Sequence, residues 1–384
     1  MKKFLVPCLL LMSLLTLSSC GAIREDSTAS QWLVDANLSA EETPEELYAQ
    51  ALEEGVLTIY TVSSRLVDVA AAFEEEYSGL SVEVIYARTE DMVEQLVSDK
   101  DADAITADLV FLTNGSGSIT EELIPDDLVQ KYLPYDMADA MLDGLNDSYV
   151  SVMVEVPMLV YSTQSFDAPP VANWWELTEP QWADKVYITN PSDSMISYTF
   201  FAMLQQNSDL LEQAYTQYYS TDYVGDGSAT IFETFLRKLV NNGLHIVNDS
   251  DDVANGIEYG EGVVGLMNAS KIRYNADGYH FALCYDMAPF SGVANPAAIM
   301  MVDGAPNVAS AKLFIRYILG ETDGQGEGLS ILLANEGIWP ARTDAEGLSP
   351  SLSTFSVLST DEDFSAQYRD TFLTLWTEIL TALD

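Results

Sequence analysis

Between residues 56 and 112 short apolar runs alternate with amphipathic stretches, and this alternation restricts the possible folds more than any other feature. Val56-Leu57-Thr58-Ile59-Tyr60 reads as a strand. Val67 to Tyr77 reads as a helix with Val69, Ala70, Phe73 and Tyr77 as its apolar positions, and it ends before Gly79. Leu80 to Tyr86 is the next strand, Thr89 to Ser98 the next helix, and Asp108 to Leu112 a third strand. Short apolar strands separated by helices predict a parallel sheet covered on both faces and built from right-handed βαβ units. In such sheets a ligand sits beyond the carboxyl ends of the strands.

The flanking regions add detail. Pro44-Glu45-Glu46-Leu47 opens a helix with Thr43 as N-cap and acids in the first turn, expected to run to Glu54 and stop at Gly55. Val150 to Ser162 is long for one strand and holds Pro157 at its middle, which suits an edge strand or a segment passing between domains. Beyond it come a strand at Val186 to Thr189 and helices at Met195 to Gln206 and Thr230 to Asn241. Strands follow at Gly262 to Leu266, Phe281 to Tyr285 and Ala297 to Val302, then a helix from Ala309 to Leu319. Asp363 to Leu383 reads as one amphipathic helix carrying Phe364, Tyr368, Phe372, Leu375, Trp376 and Ile379.

The N-terminus bears on location. Lys2 and Lys3 precede an apolar stretch from Phe4 to Leu17, about 14 residues against the roughly 20 a spanning helix needs. The stretch closes on Leu17-Ser18-Ser19-Cys20-Gly21, a secretory signal layout that also resembles the bacterial lipobox. That resemblance implies a signal peptide over 1–19 and diacylation of Cys20, so that the protein is exported and held at the outer face of the cell membrane or in the periplasm. Residues 20–43 read as a flexible tether in which Trp32, Leu33 and Val34 are candidates to dock.

Removing the signal leaves enough chain for two domains and moves the formal charge from −44 to −46. A charge of that size and sign argues against nucleic acid or an anionic membrane surface as partner. Cys8 leaves with the signal and Cys20 takes lipid, so Cys284 stands alone and no intrachain disulfide forms. With one cysteine and only His245 and His280, a zinc site is disfavoured and no metal or cofactor is expected.

Several stretches resemble, in order, the type II periplasmic solute-binding proteins of ABC importers. The run from Leu47 to Thr61 is similar to the family's opening segment. Ala72-Phe73-Glu74-Glu75-Glu76-Tyr77-Ser78-Gly79-Leu80 resembles a helix ending in F-x-x-x-Y-P-G, with Ser78 where proline is usual. Trp182-Ala183-Asp184-Lys185-Val186 with Asn190-Pro191, and Gly304-Ala305-Pro306-Asn307 with Ala311-Lys312-Leu313-Phe314-Ile315, resemble two later segments. Gly337-Ile338-Trp339-Pro340-Ala341-Arg342 fits a late loop. More narrowly, the opening run is similar to the ferric-iron-binding branch and its relatives for phosphonates, sugar phosphates and thiamine. The resemblance implies an α/β type II fold of two lobes, each a mostly parallel sheet flanked by helices, joined by a two-strand hinge that closes on ligand. Lobe one is then expected over 45–155 plus 298–384, lobe two over 160–288, and the hinge near 155–161 and 289–298. It also implies a monomer that hands a small solute to ABC permease subunits.

Polar clusters at predicted strand ends are the candidate ligand residues. Ser63, Ser64 and Arg65 follow the first strand, Arg88 and Thr89 the second, and Asn114, Gly115 and Ser116 the third. Asn190, Ser192 and Ser194, with Asn268, Ser270, Lys271, Arg273 and Tyr274, come from the second lobe. Each hydroxyl or amide cluster also suits plain N-capping. With only sixteen Lys and Arg in the chain, Arg65, Arg88, Lys271 and Arg273 at these loops favour a phosphorylated or carboxylated anion. Ferric iron is the alternative within the family, but its adjacent tyrosine pair is missing after Gly262 to Leu266, where Met267 to Tyr274 stand instead; Tyr218-Tyr219 lies too early and suits packing. A surface scaffold or adhesion lipoprotein is the reading from another class. An enzyme is not expected, because no Gly-x-Ser-x-Gly elbow is present and neither histidine sits in a recognisable motif. Asp222, Asp226, Gly227 and Glu233 approach a calcium loop, yet Val224 stands where an oxygen ligand is needed.

Overall fold

The computed structural model describes residues 31–113, 117–225, 227, 229–334, 336–345, 347 and 350–382. The first part of the chain runs α1 (Gln31–Ala36), α2 (Pro44–Ala51), β1 (Leu57–Thr61), α3 (Leu66–Glu76), β2 (Val82–Tyr86), α4 (Thr89–Asp101), β3 (Leu109–Thr113), β4 (Val129–Gln130) and β5 (Val150–Glu155). Val156 then separates β5 from β6 (Pro157–Ser162). The middle part comprises β7 (Val186–Thr189), α5 (Met195–Gln206), α6 (Ser208–Tyr219), α7 (Ile231–Asn241), β8 (His245–Val247), α8 (Ser250–Tyr259), β9 (Val264–Asn268) and β10 (Phe281–Leu283). Last come β11 (Gly292–Val302), α9 (Val308–Ile318), α10 (Glu327–Leu333), β12 (Ile338–Pro340), β13 (Val357–Ser359) and α11 (Glu362–Thr381).

Local chemistry accounts for the element starts. Thr43 and Glu46 form a reciprocal capping box: Glu46 N–H donates to Thr43 Oγ1 at 3.2 Å, and Thr43 N–H to Glu46 Oε2 at 3.0 Å. The helix stops at Ala51, three residues short of the expected Glu54. Thr230 and Glu233 repeat the same box at α7, so Glu233 of the near-calcium loop serves as a cap; Asp226 lies outside the described residues.

The strands join in the order β2-β1-β3-β11-β6-β9-β7-β8. In the first lobe β1 lies between β2 and β3, parallel to both, as the alternating pattern predicts. In the second lobe β7 pairs in parallel with β8 and β9, while β6 runs antiparallel to β9 and β10. The strand holding Pro157 is therefore interior, and the reading of that segment as a passage between domains is the one that fits. Pro157 is the first residue of β6, where a missing N–H costs least.

β11 is the spine between the lobes. Its first residue pairs with Met158 of β6, and Ala297 to Met301 pair antiparallel with β3. Gly292 has to be glycine there, because a Cβ would stand 2.4 Å from Val156 Cγ1 and 2.5 Å from the Pro157 carbonyl. A third passage accompanies the two expected: β12 pairs with β5 on the first-lobe side, and β13 pairs in parallel with the start of β11. Gly337, just before β12, has φ +81° and would place a Cβ 2.1 Å from the Ala269 carbonyl.

Two expectations change. Residues 298–384 do not all belong with lobe one, because α11 packs on α5 and α7 and joins their apolar core through Phe372, Leu375, Trp376 and Ile379. Its apolar stripe was legible; which lobe it covers depends on the third passage. The segment 31–43 is docked rather than a free tether: Trp32 Nε1 donates to the Ala305 carbonyl at 2.9 Å, and Lys312 Nζ reaches Glu42 at 2.5 Å. The lipid site Cys20 and the signal over 1–19 lie outside the described residues.

Candidate functional site

A cavity of about 350 Å³ lies at the lobe boundary. Its walls come from helix starts and strand ends, as an open α/β sheet predicts. Thr89 and Glu90 open α4, Thr113 ends β3, and Glu155 ends β5. Met195, Ile196 and Thr199 supply the first turns of α5, Asn268 ends β9, Asn295 and Pro296 lie on β11, and Thr360 and Glu362 lead into α11. An adjoining space of about 340 Å³ shares Glu90, Met195, Thr199, Thr360 and Glu362 and adds Tyr198 and Arg369.

Polar contacts already order part of this surface. Asn268 Nδ2 donates to Glu155 Oε2 at 2.9 Å, while the buried Asn268 Oδ1 has no hydrogen-bond partner. Tyr149 Oη donates to Glu362 Oε1 at 2.8 Å, linking the first lobe to the helix carried by the second. Arg369 lies 5.0 Å from the Tyr198 ring centroid, and its Nη1 contacts Met195 Sδ.

Of the residues singled out from sequence, Thr89 and Asn268 line the cavity. Arg88 instead grips Asp91 through two hydrogen bonds of 3.0 and 2.8 Å, with 77% of its side chain exposed. Arg65 donates to the Leu332 carbonyl at 2.7 Å; burial pulls its guanidinium below the usual value, opposed by nearby Glu155 and reinforced by Arg273. Arg273 itself donates to the Ser270 carbonyl at 2.9 Å. Lys271 and Tyr274 both donate to Asp251 Oδ1, at 2.6 and 2.7 Å, and together hold its carboxyl below the ordinary range. Burial works against the Lys271 charge, but the bonds to Asp251 and Tyr274 raise it overall.

The remaining polar candidates are local fasteners. Ser63 N–H donates to Thr61 Oγ1, and Ser64 is exposed at the turn into α3. Asn190 binds Asp193 and accepts from Trp376 Nε1, Ser192 N–H donates to Asn190 Oδ1, and Ser194 Oγ accepts from Thr189 at 2.7 Å. Ser270 is buried beneath the loop after β9. Asn114, Gly115 and Ser116 fall outside the described residues. Tyr219 donates to Glu179 at 2.5 Å and packs with Trp175 and Tyr215, consistent with packing rather than ligation.

Sequence reasoning passed over Glu90, Glu155 and Glu362. Glu90 directly follows a chosen threonine, and Glu155 was used only as a hinge boundary. Among so many acids nothing in the chain distinguishes these three from solvated surface.

The chain is similar to solved binding proteins over most of its length. It aligns with the iron-bound HitA of Pseudomonas aeruginosa at 15% identity and TM-score 0.60, covering 84% of this chain and 99% of that one. It aligns with the open ferric iron-binding protein A of Mannheimia haemolytica at 16% identity and TM-score 0.63, covering 85% and 98%. AfuA of Actinobacillus pleuropneumoniae, with fructose-6-phosphate bound, aligns at 16% identity and TM-score 0.58, covering 85% and 99%. These likenesses establish the type II periplasmic-binding fold. No curated protein sequence matches the chain. Residues 68–354 match the family model for the bacterial extracellular solute-binding protein. The chain belongs to that family, whose members bind solutes outside the cytoplasm and are not catalysts.

Proposed function

We propose that the protein captures a small organic solute in the interlobe cavity and delivers it to the permease of an ABC importer, held at the membrane by lipid on Cys20. The observation that carries this reading is the cavity itself: about 350 Å³ of space whose mixed polar and apolar lining comes from both lobes and from the strands joining them. Three passages of chain at Val156, β11 and β13 supply the hinge for closure on a ligand.

A phosphorylated or carboxylated anion draws on Arg65, Arg88, Lys271 and Arg273, none of which lines the main cavity. Ferric iron draws on the bound ligand of the HitA relative, whereas among the described residues no three His, Cys, Asp or Glu side chains converge to hold a metal ion. A scaffold role leaves the cavity unused. The test is thermal denaturation of the full chain against amines, phosphorylated sugars, phosphonates, thiamine and ferric citrate, with small-angle scattering to read closure. A solute at about a hundred times its Kd stabilises by roughly 2.7 kcal/mol. Stabilisation with compaction supports capture; neither response across the panel overturns it.

A further inference from the structure

We propose that residues 31–43 form a strap that fastens the anchored end of the chain to the base of lobe one, so that the membrane holds this lobe at short reach; this rests on the lipid anchor proposed above. The buried charge of Lys312 carries the argument. Lys312 lies on α9 with its side chain only 3% exposed. Among the described residues, the two oxygens that accept from its ammonium are the Asn37 carbonyl at 3.2 Å and Glu42 Oε2 at 2.5 Å, both in this segment. A buried ammonium is tolerated only when it is paired, and here one segment both covers the charge and pairs it. The Tyr132 ring, 5.5 Å from Nζ, meets the same ammonium from lobe one.

Apolar packing fastens the same segment independently. Trp32 and Leu38 pack against the core that includes Leu47 and Phe314, and Ala36 is buried. Trp32 Nε1 donates to the Ala305 carbonyl at 2.9 Å, in the turn between β11 and α9. Ala40 N–H closes on the Asn37 carbonyl at 3.0 Å, and Gln50 Nε2 of α2 donates to Glu42 Oε1 at 3.3 Å. Fixed points near both ends of the segment distinguish a strap from a single helix resting on the surface.

Topology says where the strap sits. β11 runs antiparallel to β3, with Ala297 opposite Thr113 and Met301 opposite Leu109. Thr113 lines the cavity, so Ala305, beyond the other end of β11, lies at the base of the lobe-one sheet, away from the cleft. Docking there leaves the cavity and the three passages between lobes unobstructed. It also shortens the reach of the anchor. From Cys20 to Gln31 the chain spans at most about 40 Å, whereas chain free as far as Pro44 would span up to about 85 Å.

The test uses the full chain taken from membranes in detergent. Hydrogen exchange is expected to show protected amides between Trp32 and Glu42, and exchange there roughly tenfold faster or more in Trp32→Ala, with β1 to β3 unchanged. Glu42→Gln leaves the packing in place, removes the counterion, and provides a second variant where Trp32→Ala disturbs folding. Exchange in the parent at the rate of unstructured peptide overturns the strap. Reach is read in phosphatidylcholine vesicles carrying a headgroup acceptor dye, with the donor on Leu52→Cys; Leu52 is exposed just after α2, and the buried Cys284 stays unlabelled. Energy transfer is expected to fall in Trp32→Ala. Transfer equal to the parent, in a variant that exchange shows to be undocked, overturns the short reach. A parent chain that joins vesicles no better than Cys20→Ser overturns the lipid anchor and the reach with it, while exchange still decides the docking.

Discussion

The side chain of Asn268 donates to Glu155 Oε2 at 2.9 Å, tying the last residue of β9 to the last residue of β5 across the hinge. It is a direct polar link between the strand ends of the two lobes. Asn268→Leu removes the donor and the partnerless Oδ1 together, so the stability change is expected to stay near 1 kcal/mol. Solute affinity is expected to fall much further. Urea denaturation and calorimetric titration on one preparation check this, and unchanged affinity would remove Asn268 from the site.

Acid sensitivity is expected from the first lobe. Arg316 is fully buried on α9 and makes paired bonds to Asp136 at 2.7 and 2.8 Å. Those bonds hold the Asp136 carboxyl below its ordinary range, against the opposing effect of burial. A depressed folded value means the contribution is fully present above the unfolded pKa of about 3.9 and is lost as pH falls through the folded value. Asp136→Asn is therefore expected to lower stability at neutral pH by about 3 kcal/mol and to flatten the acid limb. Denaturation midpoints measured from neutral pH down to the acid transition decide it; parallel curves for the two proteins would sink the assignment.

The G-A-P-N segment has a visible purpose. Asn307 Oδ1 accepts from Gly55 N–H at 2.7 Å, and its Nδ2 donates to the Val56 carbonyl and Asp108 Oδ2, both at 3.0 Å. Asp108, fully buried, also accepts from Thr58 N–H and Asn307 N–H. Burial raises its pKa even though these bonds favour the charge. Asn307→Ala leaves several of these groups unmatched and is expected to cost about 3 kcal/mol. A chemical denaturation midpoint within error of the parent would show that water replaces the amide.

The C-terminal helix is expected to stabilise the second lobe. Trp376 is 1% exposed, packs on Phe201 and Phe372, and donates to Asn190 Oδ1 at 3.2 Å. Trp376→Ala is expected to cost about 3–5 kcal/mol. Hydrogen exchange locates the effect: loss of protection in α5 and α7 supports the packing, and loss confined to the first lobe contradicts it.

The sequence by itself determined the elements. Periodic apolar positions, the Thr43 cap and the glycines at turns act over a few residues, so β1 to β3 and helices α3, α4, α5, α7 and α9 were legible within a few positions of their ends. Order-dependent motifs carried the fold family, and Pro157 marked the passage between lobes. Helices α1, α6, α8 and α10 were missed. Tertiary structure alone decided which polar residues face the cavity. Arg88 and Asp91 are three residues apart and pair outside it, whereas Glu90, Glu155, Asn268 and Glu362 come from four distant segments and line it together. It also decided that α11 covers the second lobe, through the third passage at β13. The physical reason is range: caps and periodicity arise from neighbouring residues, while a cavity wall depends on long-range strand pairing that brings remote side chains to one place.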